Sequence, residues 1–238
     1  MIELKAPATW SELSLDQFRK IVETLLLQLT REEQLFVLMC ELTGIRRYDA
    51  TDKFVGPDGS DFRLQQHEIV DFCDRFAWII DSEPDSLPNP TKVDGFLRDM
   101  SFGDWFETDT QFRIYDDDRD LAHFDIILPK LGLQDEPRPV SQVMATMLKL
   151  WWQSVMVQIA PLYPNVFAKS DPKDGVSSIY NPFKQLQEFH LMLNDGRPQD
   201  NEMIDNARLH DVLSAMDSEI ERQKREAAAV RKMNKPNH

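Results

Sequence analysis

The densest group of side chains that could do chemistry is the run YDDDRD, Tyr115–Asp120. Clustered carboxylates can hold a divalent ion that activates water for hydrolysis. A calcium loop needs alternating ligands, a central glycine and a distal glutamate, and this run lacks that spacing. Consecutive aspartates also point in different directions, so we expect a solvated loop or a helix cap near Asp118. A metal-dependent hydrolase or nuclease using Asp116, Asp117 or Asp120 stays open as an alternative.

The histidines are the next candidates for catalysis or metal binding. They are His67, His123, His190, His210 and His238, and no two of them have HxxxH or HExxH spacing. His190 lies among apolar residues in EFHLML, which favours a hydrogen-bonded structural histidine. The eight glycines form no GxSxG, GxxxxGK[ST] or GxGxxG motif, so no nucleophile elbow or phosphate-binding loop is predicted. We therefore expect no catalytic residue, metal site or cofactor, and no enzymatic activity.

The charge of the chain limits its partners. Its 238 residues carry a formal net charge of −14. Such an excess of carboxylates repels phosphate backbones and anionic lipid surfaces, so nucleic acid and membranes are poor general partners. Cys40 and Cys73 stand in no CxxC pair and are predicted to be free, buried thiols, which suits a reducing compartment. The start, MIELKAPATW, lacks the pattern of a secretory signal, and we expect a cytoplasmic location in the producing or a host cell, with association with a virion left open.

Helix-capping signals dominate the first part of the chain. Ser14 with Gln17, and Thr30 with Glu33, have the spacing of capping boxes. Apolar residues recur at helical spacing after each box, and Gly44 stands where a left-handed cap is expected. Two helices with almost no linker, a helical hairpin, are therefore predicted.

Residues 52–64, DKFVGPDGSDFRL, follow a different pattern. Short apolar pieces flank GPDG, whose Pro57, Asp58 and Gly59 suit a tight turn. A small β-hairpin or a structured loop is predicted here. Helical periodicity then returns in QQHEIVDFCDRFAWII, which predicts a third helix.

The later segments also have helical patterns. Short helices are predicted with separations at Gly103 and near Asp117. Asn181 followed by Pro182 is typical of a cap and a first helical turn. The last helix is predicted to begin after Asp200 and to continue into the C-terminal basic segment.

Together these patterns predict an all-α protein. It should be a multi-helix single domain with a minor β-hairpin near 52–64 and a long C-terminal helix. Pro84, Pro88 and Pro90 mark either an internal boundary or a long loop. The predicted segments are 1–83 with the helical hairpin, β-hairpin and third helix, 84–199 as a central helical core of the same domain, and 200–238 as the long C-terminal helix with its basic tail.

The most apolar stretch, residues 144–168, reads MATMLKLWWQSVMVQIAPLYPNVFA. From 140 to 160 its apolar residues recur at i, i+3, i+4 and i+7, which predicts a helix. A membrane span needs about 20 apolar residues, whereas this helix has Lys149 near its middle and ends before Pro161. A central core helix is predicted, with no membrane contact.

The apolar stripe of this helix is wider than a surface helix needs, which also indicates contact with another protein. The tail ERQKREAAAVRKMNKPNH is basic, and we expect either a solvated, protruding helix end or an arm that docks on an acidic partner or touches nucleic acid. The predicted partner-binding residues are Trp151, Trp152, Met156, Tyr163 and Phe167 in the apolar stretch, and Arg225 and Lys232 in the tail.

Three segments together resemble small acidic helical proteins from the late operons of tailed bacteriophages and prophages. They are WSELSLDQF, MSFGDWFETDTQF and LPKLG. Some members of this group are regarded as tail-assembly chaperones. The matching positions are Trp10, Leu13, Leu15 and Phe18 in the first segment, and Phe102, Gly103, Trp105, Phe106 and Asp109 in the second.

The resemblance implies a non-enzymatic protein that binds a tail or other virion component during assembly. Such a chaperone needs an exposed apolar groove and enough charge to stay soluble. A structural virion protein, such as a connector or neck component, is the first alternative. Either function is compatible with an oligomer, and the metal-dependent hydrolase or nuclease named above is the second alternative.

Overall fold

The computed structural model describes residues 6–48, 52–168, 181–194 and 197–233, with the side chains of 231–233 outside the description. The described residues form a mostly helical fold with one small sheet, which confirms the predicted fold class. The α helices are, in chain order, α1 Leu15–Leu25, α2 Arg31–Thr43, α3 Gln66–Asp74, α4 Ala77–Asp81, α5 Phe102–Asp118, α6 Phe124–Lys130, α7 Gln142–Ile159, α8 Pro182–Asn194, α9 Asn201–Asn206 and α10 Leu209–Met233.

The chain divides into two compact units. Unit 1 contains Met1–Pro90 and Val140–Val155, and unit 2 contains Thr91–Pro139 and Met156–His238. Helix α7 therefore contributes residues to both. The predicted division at 83 and 199 stays a prediction.

The first two helices of unit 1 begin where their capping signals predict. Ser14 Oγ accepts from the backbone N–H of Gln17, and the Gln17 side chain accepts from the N–H of Ser14 in return. Thr30 and Glu33 repeat this arrangement at the start of α2. Gly44 ends α2 in the left-handed conformation, with φ +72°. The helical hairpin is thereby confirmed.

The β-hairpin is also confirmed, with one strand more than predicted. The strands β1 Arg46–Arg47, β2 Lys53–Val55 and β3 Asp61–Arg63 form an antiparallel sheet in the order β1-β2-β3. The turn at GPDG is closed by a hydrogen bond from the N–H of Gly59 to the carbonyl of Gly56. Gly59 has φ +82°, where glycine avoids the strain of a side chain. The β2 residue Phe54 packs with Ile45 and Leu64 in a small buried cluster.

The third predicted helix is in fact two, α3 and α4. The backbone leaves the helical region at Phe76, with φ −101° and ψ 0°. This break lets the buried Phe76 ring join the core cluster of unit 1. That cluster includes Trp10, whose ring meets Trp78 edge to face at 5.1 Å and donates through Nε1 to Ser82. Long-range packing has outweighed helical periodicity here.

The first α-helix of unit 2, α5, is capped by Ser101, whose Oγ accepts from the N–H of Asp104. Gly103 was predicted to separate two helices, but it lies in the first turn of α5. A Cβ atom at Gly103 would lie 3.2 Å from both Cβ and the carbonyl oxygen of Asp205. The glycine therefore permits the close approach of α9 to α5. Helix α5 continues past Gly103 and ends at Arg119, which adopts φ +60°.

The last predicted helix is also interrupted, at Ala207 and Arg208 between α9 and α10. Arg208 forms an isolated antiparallel bridge with Ser101. The N–H of Phe102 donates to Ala207, and the N–H of Leu209 donates to Met100. These backbone bonds join the residues between α9 and α10 to the start of α5. The local sequence pattern contains no signal for this long-range contact.

Candidate functional site

The candidate site is a groove of about 490 Å³ in unit 2, enclosed by α5, α8 and α9 with one residue of α6. We call it the α5–α8 groove. Its apolar lining includes Phe106, Ile114, Phe183 and Leu186. Its charged lining consists of Asp104, Glu107, Lys130 and Asp205. A concave apolar surface with a few charged groups is typical of a binding site.

Phe183 is the most unusual residue of the groove because 83% of its surface is exposed. It lies in the first turn of α8, whose start is capped by Asn181 Oδ1 accepting from the N–H of Lys184. Burying a phenylalanine side chain stabilises by about 1.5–3 kcal/mol. In the isolated chain Phe183 contributes little of this stabilisation. A partner bound in the groove would bury the ring, and the complex would be stabilised accordingly.

Lys130 lies between two carboxylates at the rim of the groove. Its Nζ is 2.6 Å from Asp104 Oδ1 and 2.7 Å from Glu107 Oε2. Partial burial acts to raise the pKa of Asp104, but hydrogen bonds from Lys130 and Ser101 outweigh it, so this pKa lies below its usual value. Partial burial acts to lower the pKa of Lys130, but the two carboxylates raise it overall. Asp104 and Lys130 are therefore both charged at neutral pH.

A buried histidine hydrogen-bonds to Asp205, one of the carboxylates that line the groove. His190 Nε2 of α8 lies 2.8 Å from Asp205 Oδ1 of α9, which confirms the predicted hydrogen-bonded structural histidine. Asp205 also lies against Gly103 of α5. One contact chain thus connects the three helices that surround the groove.

Unit 1 contains a second groove, of about 700 Å³, between α2 and α3. It is lined by apolar residues including Phe36, Ile69 and Val70, and Arg47 lies over the Phe36 ring at 5.7 Å from its centroid. Its most exposed apolar residue is Val70, a smaller side chain than Phe183 and less exposed. The α5–α8 groove is therefore the stronger candidate.

The two tryptophans predicted to contact a partner lie in the core. Trp151 is 1% exposed and Trp152 3% exposed, and their rings are 6.3 Å apart. The core-helix interpretation of α7 is confirmed. A partner contact through the two tryptophans stays a prediction, which their burial does not favour. Their large apolar surfaces are already covered by the chain itself.

The other predicted contacts in this stretch are half-buried and engaged within unit 2. Met156 Sδ accepts from Trp105 Nε1 at 3.4 Å, and Phe167 meets the Trp105 ring edge to face at 6.3 Å. Tyr163 Oη lies 2.7 Å from His210 Nδ1. The structure thus places these three residues in packing around α5 and α10, outside the groove.

The tail residues differ in how far the structure describes them. Arg225 is exposed, and its Nε lies 2.9 Å from Glu221 Oε1 one turn earlier. The side chain of Lys232 lies outside the described residues, as does the segment from 234 onward. Arg225 does not belong to the lining of the groove.

Asp118 and Asp120 of the YDDDRD run accept hydrogen bonds from nearby backbone N–H groups at the end of α5, and Asp116 and Asp117 lie within α5. Asp118 Oδ1 accepts from the N–H of Asp120, and Asp120 Oδ1 accepts from the N–H of Ala122. Asp118 Oδ2 also lies 2.9 Å from His123 Nε2. Within the described ranges no group of three or more His, Cys, Asp or Glu side chains is placed to hold a metal ion.

Sequence reasoning missed Lys130 and Phe183. Lys130 lies in LPKLG, a segment of the resemblance, but its carboxylate partners come from another helix. Phe183 precedes Leu186 by three residues and His190 by seven, so its pattern predicts burial rather than exposure. The sequence did indicate Gly103 and Phe106, because both belong to MSFGDWFETDTQF.

The chain was compared with protein families, curated proteins and solved structures, and no family model, curated protein or solved structure matches it. In the parts of the chain that the structure describes, no helix has both the length and the apolar character needed to cross a bilayer.

Proposed function

We propose that the chain is a non-enzymatic binding protein whose α5–α8 groove holds an apolar segment of another protein. The exposure of Phe183 beside a concave apolar surface carries this proposal. Isolated exposed apolar residues are common, but an exposed large ring at the edge of a groove marks an interaction site. Binding would cover Phe183 together with the half-buried Leu186 and Ile114.

The charges around the groove indicate the chemistry of the segment. Asp104, Glu107 and Asp205 contribute three carboxylates, against the single ammonium of Lys130. The side chains of Asp104 and Glu107 are 48% and 49% exposed, so each can accept a further hydrogen bond. A segment with one large apolar anchor and a neighbouring Lys or Arg fits this lining, and the acidic chain would attract it over a distance.

The sequence resemblance supports a finer proposal, that the partner is a tail component of a tailed phage or prophage. Gly103 and Phe106, two positions of the resembling motif, line the groove. Trp105 packs behind them against Met156 and Phe167. The chain would cover the apolar surface of a tail protein until polymerisation, as a tail-assembly chaperone does. A chaperone would be missing from purified particles by mass spectrometry, whereas a connector or neck protein would be present in fixed stoichiometry.

Co-expression with the proteins of the adjacent genes tests this proposal. The full chain should co-elute in a defined ratio with one of them, a tail-tube, tail-sheath or tape-measure protein under the finer proposal. Phe183→Ser should lose the complex. Leu191→Ser is the matched control, because Leu191 lies on the same helix, is 56% exposed and does not line the groove.

Loss of affinity on Phe183→Ser should reach the range of an interface hot spot, roughly thirtyfold. Equal binding by Phe183→Ser and Leu191→Ser would show that the groove is not the binding surface. Failure of every neighbouring protein to co-elute with the wild-type chain would contradict the assembly role.

A further inference from the structure

The exposed end of α10 differs in charge from the remainder of the chain. Residues 222–238 contain six Lys or Arg residues and one carboxylate, Glu226. This segment therefore has a net charge of +5. Because the whole chain has a net charge of −14, residues 1–221 have a net charge of −19. The first turns of α10 are buried through Leu209, Leu213 and Met216, whereas every residue from 222 to 230 is exposed. The helix thus presents a basic end to solvent.

The described cations of this end make contacts on the protein surface. Lys224 Nζ donates to Asn165 Oδ1 at 2.7 Å. Arg222 contacts Glu219 and Glu226, and Arg225 contacts Glu221. Surface pairs of this kind contribute little to stability, because water and salt screen them. They can exchange for a better-desolvated carboxylate at small cost. Dipole stabilisation accounts for cations in the last turn of a helix, but not for cations that begin three turns before its end.

The same end also contains a short apolar run. Ala227, Ala228, Ala229 and Val230 follow one another, and Val230 is 49% exposed. Alanines let a helix backbone approach a surface closely, and a single branched side chain can enter a shallow groove. The segment therefore combines small apolar residues with flanking cations, the chemistry that the lining of the α5–α8 groove accepts.

We infer that the exposed end of α10 of one copy docks in the α5–α8 groove of a second copy. This inference rests on the groove assigned under the proposed function, and it names a second copy of the chain as one occupant. Arg225 would face the half-exposed carboxylates of Asp104 and Glu107, and Val230 would pack on Phe183. Residues 222–230 do not line the groove of their own chain, and all of them are exposed.

The contact is head to tail, since the groove and the tail are different surfaces. Such heterologous contacts close into rings when the rotation allows and otherwise form open chains. A client segment that enters the groove would displace the tail and return the chain to monomers. Self-association and client binding are therefore mutually exclusive at each groove.

Sedimentation velocity of the full chain across a concentration series tests the inference. The wild type should form dimers and larger species at low ionic strength. This association should weaken as added salt shortens the Debye length from roughly 10 Å to about 3 Å. Phe183→Ser and the double variant Arg225→Glu, Val230→Asp should each raise the dissociation constant by roughly thirtyfold. Leu191→Ser should behave as the wild type, and circular dichroism should show unchanged helix content in all of them.

Mixing the two defective proteins gives the sharpest result. Phe183→Ser keeps an intact tail, and Arg225→Glu, Val230→Asp keeps an intact groove. Their mixture should form heterodimers with one productive contact and no larger species. Failure of the mixture to associate, a monomeric wild type at low salt, or association lost on nuclease treatment would each overturn the inference.

These outcomes separate the inference from the proposed function. A monomeric chain that still binds a neighbouring tail protein through Phe183 would refute self-association and leave the binding role intact. A chain that self-associates through Phe183 but binds no neighbouring protein would support self-association and refute the proposed assembly role.

Discussion

His190 and Asp205 form a 2.8 Å contact between Nε2 and Oδ1 that connects α8 to α9. His190 is buried, and Asp205 places its backbone carbonyl against Gly103 of α5. The backbone N–H of Phe102 in α5 also donates to the carbonyl of Ala207, the residue that follows α9. The width of the α5–α8 groove is therefore set by contacts beneath it, and changes at those contacts should alter both stability and binding.

Gly103→Ala should destabilise the chain. Alanine in a helix is ordinarily more stable than glycine by about 1 kcal/mol. Here the new Cβ would meet Asp205 at 3.2 Å, and α9 cannot move away without loosening its backbone bonds to α5. We expect a net loss of about 1 kcal/mol in the free energy of urea unfolding, on the scale of mild overpacking.

Gly95→Ala is the control for this prediction. A Cβ at Gly95 meets nothing within 4 Å, and its φ is not positive. That variant should be neutral or gain a few tenths, roughly 0.4 kcal/mol, by restricting the unfolded chain. A stabilising effect of Gly103→Ala equal to that of Gly95→Ala would mean that α5 and α9 are not held together as described.

Lys130→Met should destabilise the chain in a pH-dependent way. The substitution removes hydrogen bonds to two carboxylates and leaves Asp104 and Glu107 side by side, one turn apart on α5. We expect a loss of about 1–2 kcal/mol at pH 7, since all three groups are partly solvated. Lys184→Met, which removes an exposed pair with Glu188, should cost far less.

The pH dependence of this loss follows from the two pKa shifts. The pKa of Asp104 is lower in the folded chain, so its contribution is complete above the unfolded pKa of about 3.9 and disappears as pH falls through the folded value. The pKa of Lys130 is raised, so its contribution is complete below its ordinary value near 10.5 and disappears above it. The difference between wild type and Lys130→Met should therefore be constant from pH 5 to 9 and narrow below about pH 4. A difference that grew on acidification would refute the ion pairing.

The features predicted correctly from the sequence are those encoded by neighbouring residues. Ser14 with Gln17 and Thr30 with Glu33 form capping boxes through contacts three residues apart, and Gly44 needs only its own backbone freedom. Each of these signals lies within one helical turn. The sequence pattern therefore contains everything that determines them.

The features that the sequence did not predict depend on residues far away in the chain. The break between α9 and α10 lies where Arg208 is bridged to Ser101, more than a hundred positions earlier in the chain. The backbone bonds of this bridge run from Phe102 to Ala207 and from Leu209 to Met100. Periodicity also cannot tell whether another element covers a side chain. Trp151 was predicted as a contact and is buried, whereas Phe183 has a core-like pattern and is exposed. The sequence indicated Gly103 and Phe106 of the groove, but Lys130 and Phe183 could be recognised only from the folded structure.

Trp151→Ala should be among the most destabilising substitutions in the chain. The ring is 1% exposed, and its removal leaves a cavity that the surrounding helices cannot fill completely. We expect a loss of about 3–5 kcal/mol in the free energy of unfolding. Val157→Ala, at an exposed position of the same helix, should change stability by less than about 0.5 kcal/mol. A small effect of Trp151→Ala on stability would favour the tryptophan as a partner contact.

The two cysteines should react slowly with thiol reagents while the chain is folded. Both are free thiols. Burial, with smaller effects from Cys73 and Glu41, raises the pKa of Cys40 from 9.0 to about 11. Burial and the nearby Asp74 also raise the pKa of Cys73. Because only the thiolate is nucleophilic, a shift of this size should slow the alkylation of Cys40 by iodoacetamide at pH 8 about a hundredfold relative to an unperturbed cysteine.

Mass spectrometry of the alkylated peptides can follow each cysteine separately. The rate at Cys40 should rise about tenfold for each pH unit up to its pKa, because the thiolate fraction does so. Unfolding in guanidinium chloride should remove the protection of both thiols at pH 8. The single variants Cys40→Ala and Cys73→Ala assign the two rates and should leave helix content unchanged. Rapid alkylation of Cys40 in the folded chain would show that its thiol is neither desolvated nor held protonated by its surroundings.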